Sequence, residues 1–271
     1  MNTPLVVHEL GGRGPVLVMV HATGLHGRVW GPVADHLVGS FRCLAPDVRG
    51  HGGSVLAGPG GGPMPWPRLA GDLLEVIDAL ELSPVFGLGH SLGASLLLLA
   101  EQARPGTFAG LYCVEPIGVT DDHPPPPNPD HPMVTRAAAR RDDFASRAAA
   151  LATYGAKPPF SSVDPAALAV YVEYGFADAP DGTVRLRCRP ADEAAVFTYG
   201  LSHPVFGDLA KVVAPVTLAV GGSSTAVSVE TMALWADRLP HGRVEVLEGL
   251  GHFAPLEDPR RVAASVAAAL A

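Results

Sequence analysis

The sequence predicts an α/β fold: a mostly parallel central sheet flanked by helices. Short aliphatic runs recur along the chain, segments with helical spacing lie between them, and Gly, Pro or charged residues separate the two kinds. Residues 15–21, Pro-Val-Leu-Val-Met-Val-His, form a continuous apolar run suited to a central parallel strand buried on both faces. Residues 41–47, 84–89, 110–115, 216–221 and 243–247 have the same character. Between them, Leu69, Leu73, Val76, Ile77 and Leu80 repeat at helical spacing, and residues 91–103 are rich in Leu and Ala. Asp258-Pro259 opens the last helix as an N-cap with proline in the first turn, and Val262, Val266 and Leu270 follow four apart on one face.

The middle of the chain breaks this alternation. Residues 123–132 read His-Pro-Pro-Pro-Pro-Asn-Pro-Asp-His-Pro, which suits neither a sheet strand nor a helix interior. An Ala- and Arg-rich helical segment is expected over 135–154, and a second from Asp164-Pro165 to about Gly175. Residues 118–208 are therefore expected to form a helical cap inserted into a core made of 1–117 and 209–271. The run Gly58-Pro59-Gly60-Gly61-Gly62-Pro63 is expected to be a flexible surface loop, and no internal repeat is visible.

Composition narrows the function classes. With 271 residues, 48% of them hydrophobic, the chain can bury one sizeable core. No stretch approaches the ~18–20 apolar residues of a membrane span. The N-terminus lacks a basic region followed by an apolar segment, so no secretory signal and a cytoplasmic address are expected. Cys43, Cys113 and Cys188 are too few and too scattered for a disulfide framework or a zinc site. A net charge of −8 without a basic cluster argues against nucleic acid or anionic membranes as partners. A small-molecule substrate remains, with the oligomeric state open.

Gly89-His90-Ser91-Leu92-Gly93 follows one expected strand directly and precedes an expected helix. A serine on such a strand-to-helix turn has its hydroxyl lifted clear of the sheet, and flanking glycines remove side chains that would collide there. The helix N-terminus adds free amides and the positive end of a dipole. Ser91 is thus the candidate nucleophile; the other reading is a Gly-rich turn with a capping serine. Gly251-His252 lies in the loop after the last strand, where parallel sheets bind and react, and His252 is the candidate base. His21 and His51 read as structural loop residues.

These motifs resemble those of the α/β-hydrolase superfamily. Val20-His21-Ala22-Thr23-Gly24 is similar to the family's His-Gly-x-Gly loop, and Asp47-Val48-Arg49-Gly50-His51-Gly52-Gly53-Ser54 to its D-x-R-G-H-G-x-S stretch. The resemblance implies an oxyanion hole formed by the backbone N–H groups of Thr23 and Leu92, each donor being worth ~3–4 kcal/mol of transition-state stabilisation. Ala22 replaces the loop's first glycine. The family's usual aspartate is missing as well, since Gly222-Ser223-Ser224-Thr225-Ala226-Val227 contains no ionisable group. Glu115, ending the expected strand before Pro116, is the candidate acid, because some members carry theirs after this earlier strand. The other reading of Glu115 is a carboxylate bonded to loop amides or an arginine.

The expectation is a serine hydrolase of the α/β-hydrolase fold. It would cleave an ester, lactone or related acyl bond of a small, mostly apolar substrate through an acyl-serine, with no metal or organic cofactor. Ala22, Trp30, Phe160, Tyr171, Tyr174 and Phe197 are the candidate substrate contacts, Phe176 and Tyr199 being further aromatics of the cap. A C–C bond hydrolase, a cofactor-free peroxidase-like enzyme, a lyase on the same scaffold and a non-catalytic binding protein are the alternatives.

Overall fold

The computed structural model describes residues 5–58, 60–83 and 85–271. Residues 1–4, on which the signal reading rests, Pro59 of the glycine-rich loop and Pro84 of the expected third strand lie outside them. Among the described residues the main strands are β1 (Val7–Gly11), β2 (Val16–Val20), β3 (Arg42–Pro46), β4 (Val85–His90) and β5 (Phe108–Val114). Three short strands follow, β6 (Asp143–Phe144), β7 (Phe176–Asp178) and β8 (Val184–Leu186), before β9 (Val216–Gly221) and β10 (Gly242–Leu247).

The large sheet has the order β1-β3-β2-β4-β5-β9-β10, with β1 antiparallel to β3 and every other pair parallel. All six apolar runs are strands of this sheet. β1 is the addition: Val-His-Glu-Leu-Gly lies half-buried at the sheet edge, so it lacks the all-apolar character of the inner strands.

Alternation along the strands builds two cores. Leu17 and Met19 of β2 join a cluster on one face with Val33 of α1 (Gly31–Ala34) and Val262 and Val266 of α10 (Pro259–Leu270). Val18 and Val20 point the other way. They join Leu69 and Leu73 of α2 (Trp66–Ala79), the leucines of α3 (Leu92–Ala103), and Met232 and Trp235 of α8 (Val229–Ala236). Leu80 was expected on the apolar face of α2, but the helix ends at Ala79 and Leu80 is 46% exposed. After the short α9 (Ala254–Glu257), Asp258 caps α10 by accepting the Arg261 N–H at 3.0 Å. No helix of the described residues is long and apolar enough to cross a membrane.

Between β5 and β9 lie α4 (Pro132–Ala138), α5 (Arg147–Gly155), α6 (Pro165–Gly175) and α7 (Pro190–Thr198). This insertion is not purely helical, since β6, β8 and β7 form a small antiparallel sheet within it. The expected helix over 135–154 is split: α4 stops at Ala138, Asp143–Phe144 pairs with β8, and Ser146 caps a new helix by accepting the Ala149 N–H. The second expected helix runs as read, Asp164 accepting from the amides of Ala166 and Ala167. The glycine-rich loop is tied to the insertion. Arg189 donates to the carbonyls of Leu56 and Gly58, and the Gly61 N–H donates to Asp192.

Candidate active site

Ser91 ends the turn from β4 into α3 at φ 53°, ψ −115°. That backbone region is costly for a residue with a side chain and persists only where the surroundings enforce it. The enforcement is close packing on both sides. A Cβ on Gly93 would lie 2.1 Å from the Val20 carbonyl oxygen, and one on Gly89 would lie 2.5 Å from the Ala94 nitrogen. Both positions therefore need glycine for α3 to seat against β2 and β4. The Ser91 side chain makes no capping hydrogen bond to the helix it begins. Its N–H donates to the Val114 carbonyl at 2.8 Å, tying the turn to the end of β5.

Glu115 is the next residue after that carbonyl, and it too has a positive φ, 47°. Its N–H donates to Ala219 of β9 at 2.8 Å. Its carboxylate is fully buried and accepts three hydrogen bonds: from the Gly221 N–H at 2.8 Å, the Ser224 hydroxyl at 2.8 Å and His252 Nδ1–H at 2.5 Å. A buried carboxylate costs several kcal/mol unless paired and bonded, and these donors meet that cost. A loop amide, a hydroxyl and an imidazole thus share one carboxylate. Ser224 belongs to the hydroxyl-rich stretch without an ionisable group; it donates to Glu115 instead.

Donation from Nδ1 leaves His252 Nε2 unprotonated in the neutral ring, the form a general base requires. The loop carrying His252 is held against the turn by His90, which donates from Nε2 to the His252 carbonyl at 2.7 Å. The two rings stand 5.1 Å apart. Burial, and then the nearness of His252, push the His90 pKa down to about 3, so His90 is a neutral donor. Its role is invisible in sequence because it fills the variable position of Gly-x-Ser-x-Gly.

The expected oxyanion turn spans Ala22 to Leu25, closed by the Leu25 N–H to the Ala22 carbonyl at 3.2 Å. Gly24 has φ +78°, the third-position conformation of a type II turn. The positive φ thus falls on Gly24. Ala22 keeps an ordinary backbone and is buried in the core, so the methyl is accommodated. Thr23 occupies the second position of the turn. Leu92 is the first residue of α3, where amides have no intrahelical partner.

The Asp47–Ser54 stretch braces this turn. The Gly24 N–H donates to His51 Nε2 at 3.0 Å, while His51 Nδ1–H donates to the Arg49 carbonyl. His21 Nε2 accepts the Val48 N–H at 2.9 Å and its Nδ1–H donates to the Ala22 carbonyl. Burial lowers both imidazoles, His21 to about 3. Asp47 accepts from Gly27 N–H, Gly53 N–H and His8 Nε2. Burial alone would raise its pKa, but the His8 bond, the nearby His21 and the two amides outweigh that and hold it below the ordinary range.

The six expected substrate contacts are scattered. Phe160 is brought towards the site: its ring lies 5.7 Å from Phe253, which meets the His252 ring edge-on at 5.6 Å. Tyr171 stacks on Phe160 at 4.9 Å and on His26 at 5.9 Å. Trp30 is sealed in the core at 1% exposure. Tyr174 is 44% exposed and carries Arg28 over its ring, beside a groove lined by His8, His26, Asp47 and Arg187. Phe197 lines a groove of about 390 Å³ with the proline run, a wall that includes none of Ser91, Glu115 and His252. Phe176 packs edge-on against Phe144 inside the insertion, and Tyr199 sits against the core. Reasoning from sequence missed Phe253, His90, Ser224 and a buried pair, Arg140 and Glu193, that lies against Gly24. Among the described residues no group of three or more His, Cys, Asp or Glu side chains is arranged to hold a metal ion.

Comparison with known proteins agrees with this architecture. The pattern of the Alpha/beta hydrolase family matches residues 17–265. A pimeloyl-[acyl-carrier protein] methyl ester esterase of Methylococcus capsulatus is 35% identical over 105 residues, 38% of this chain and 37% of that protein. Lipase LipV of Mycobacterium tuberculosis is 33% identical over 124 residues, 45% of each chain. The matches thus span less than half the length of these relatives. Among solved structures, an E-2-(acetamidomethylene)succinate hydrolase superposes with a TM-score of 0.80 at 23% identity, covering 98% of this chain and 94% of the other. The esterase Rv0045c of Mycobacterium tuberculosis gives 0.76 at 24% identity, covering 100% and 89%.

Proposed function

The chain belongs to the alpha/beta hydrolase family, and from that premise we propose that it is a serine hydrolase cleaving an ester or related acyl bond of a small molecule. Ser91 Oγ attacks the carbonyl carbon while His252 Nε2 takes its proton. The amides of Thr23 and Leu92 hold the oxyanion. His252 then protonates the leaving group, and later activates the water that releases the acyl group from Ser91. Glu115 fixes the imidazole tautomer and stabilises the imidazolium throughout. No step calls on a metal or organic cofactor. Residues 118–208 serve as the cap, with Phe160 and Phe253 supplying apolar wall next to the base. The cytoplasmic address belongs to the same reading.

The observation that carries it is the short bond from His252 to a buried carboxylate, on a loop clasped by His90, the residue beside Ser91. Ester cleavage is also what the names of several relatives have in common. The test is Ser91→Ala assayed on 4-nitrophenyl butyrate, with fluorophosphonate labelling alongside. A fall in kcat of at least about 10³-fold and loss of labelling are expected. Wild-type-like turnover by the variant removes Ser91 from the mechanism.

A further inference from the structure

The proposed mechanism leaves one buried ion pair beside the oxyanion turn unused. Arg140, just past α4, donates from Nη1 to Glu193 Oε2 of α7 at 2.7 Å, and the side chains are only 17% and 9% exposed. Arg140 also donates from Nε and Nη2 to the Tyr154 hydroxyl, at 3.3 and 3.0 Å, and from Nη2 to the Tyr171 hydroxyl. The pair touches the turn directly. A Cβ on Gly24 would lie 2.6 Å from Glu193 Oε1 and 3.1 Å from Arg140 Nη1. Gly24 adjoins Thr23, whose amide is the proposed oxyanion donor. Stability alone does not account for such a pair, since well-packed hydrophobic residues of similar volume often serve as well.

Counting donors and acceptors shows what the pair still offers. A guanidinium carries five N–H groups, and the bonds above occupy four, leaving one on Nη1. Glu193 Oε2 is occupied, whereas Oε1 accepts no hydrogen bond among the described residues. One donor and one acceptor therefore stand side by side at the tip of the turn, on a pair whose net charge is zero.

We infer that Arg140 Nη1 and Glu193 Oε1 form a polar subsite for the acyl chain, built for a neutral group that carries both a donor and an acceptor, such as an amide. The inference rests on the serine-hydrolase reading. With the leaving oxygen facing His252 and the carbonyl oxygen on the Thr23 amide, the acyl chain takes the remaining direction, and the pair at Gly24, one residue from Thr23, is placed to meet it. An amide carbonyl accepts from Arg140 while its N–H donates to Glu193. A hydrocarbon chain leaves both atoms desolvated and unpaired. A carboxylate meets an arginine already neutralised and is repelled by Glu193.

The experiment compares kcat/KM for three 4-nitrophenyl esters of matched length, the hexanoate, the N-acetyl-β-alaninate and the hemiadipate, after subtraction of spontaneous hydrolysis. Glu193→Gln keeps the shape and removes the negative charge, so the hemiadipate-to-hexanoate ratio should rise at least about tenfold over wild type. Arg140→Lys keeps the charge but loses the planar fork, so the N-acetyl-β-alaninate-to-hexanoate ratio should fall by a similar factor. Both ratios staying within about twofold of wild type overturn the subsite. Should either variant fail to fold, the wild type decides. N-butylacetamide must then inhibit hexanoate ester cleavage at a concentration at least about tenfold below that of hexanoate anion, and equal inhibition overturns the inference. Ser91→Ala separates the two readings: turnover of all three esters by that variant overturns the catalytic assignment and leaves the selectivity ratios to judge the subsite.

Discussion

The carboxyl edge of the sheet and the insertion above it both bury charged or ionisable groups, but they hold them by different means. At the edge, backbone does most of the holding. Glu115 accepts from the Gly221 amide, Asp47 from Gly27 and Gly53, and His21 bridges Val48 and Ala22, while His90 donates to the His252 carbonyl. In the insertion, Arg140 is held by three side chains, those of Glu193, Tyr154 and Tyr171. Backbone partners arrive with the fold and survive substitution of their neighbours. Side-chain partners hold only while every member is present.

The largest expected effect tests the edge. Glu115→Gln keeps the volume and the contact to Gly221 but removes the charge that stabilises imidazolium. The kcat on 4-nitrophenyl butyrate should fall by about 10²–10⁴-fold with the far-UV circular dichroism unchanged. A loss below about threefold would assign the acid elsewhere.

The next effect tests the insertion, through stability. Arg140→Met strands Glu193 without its partner and should cost about 3–5 kcal/mol in urea unfolding. Arg140→Met combined with Glu193→Leu removes both charges and should recover most of that loss. Equal destabilisation by the single and double variants would show that the pair does not behave as a unit.

The third effect, on pH, contrasts edge histidines with those elsewhere. Burial lowers His21 and His90 to about 3, and His26 and His203 to about 4. An unfolded histidine takes up its proton near 6.5, so between these values the unfolded state binds more protons and stability falls as pH falls. The decline should begin near pH 6.5 and continue to about 4 for His26 and His203 and to about 3 for His21 and His90, reaching up to about 2 kcal/mol per such histidine at pH 5. Urea midpoints that stay flat from pH 7 to 5 would contradict it.

The smallest effect returns to the acid. Ser224→Ala deletes one of the three donors to Glu115 and should lower kcat by about tenfold, corresponding to a hydrogen bond to a charged group. Ser224→Thr should restore most of it. An equal loss in both variants would point to damage of the loop rather than to the missing hydroxyl.

Much of the edge was legible before any coordinates. The apolar runs named six strands of the large sheet, Gly89–Gly93 placed a strand-to-helix turn at Ser91, and Gly251-His252 placed a loop after the last strand, because each depends on residue types that strand burial, tight turns and close packing demand locally. β1 escaped notice because an edge strand alternates with solvent and shows no continuous apolar run. The helix expected over 135–154 failed where tertiary pairing took over: Asp143–Phe144 joined a sheet despite helix-favouring neighbours.

What the amino-acid sequence determined alone was the succession of the six inner strands, the tight turn that carries the serine and one candidate acid, Glu115, since backbone sterics and burial act over a few residues at a time. Only the tertiary structure decided that Glu115 meets His252 across 137 residues of chain, which imidazole clasps the loop of His252, and that Arg140 and Glu193 settle on Gly24. Those contacts join side chains from distant segments. Their existence depends on where strand ends and the helices between β5 and β9 come to rest in space, a property that no local spacing of residue types encodes.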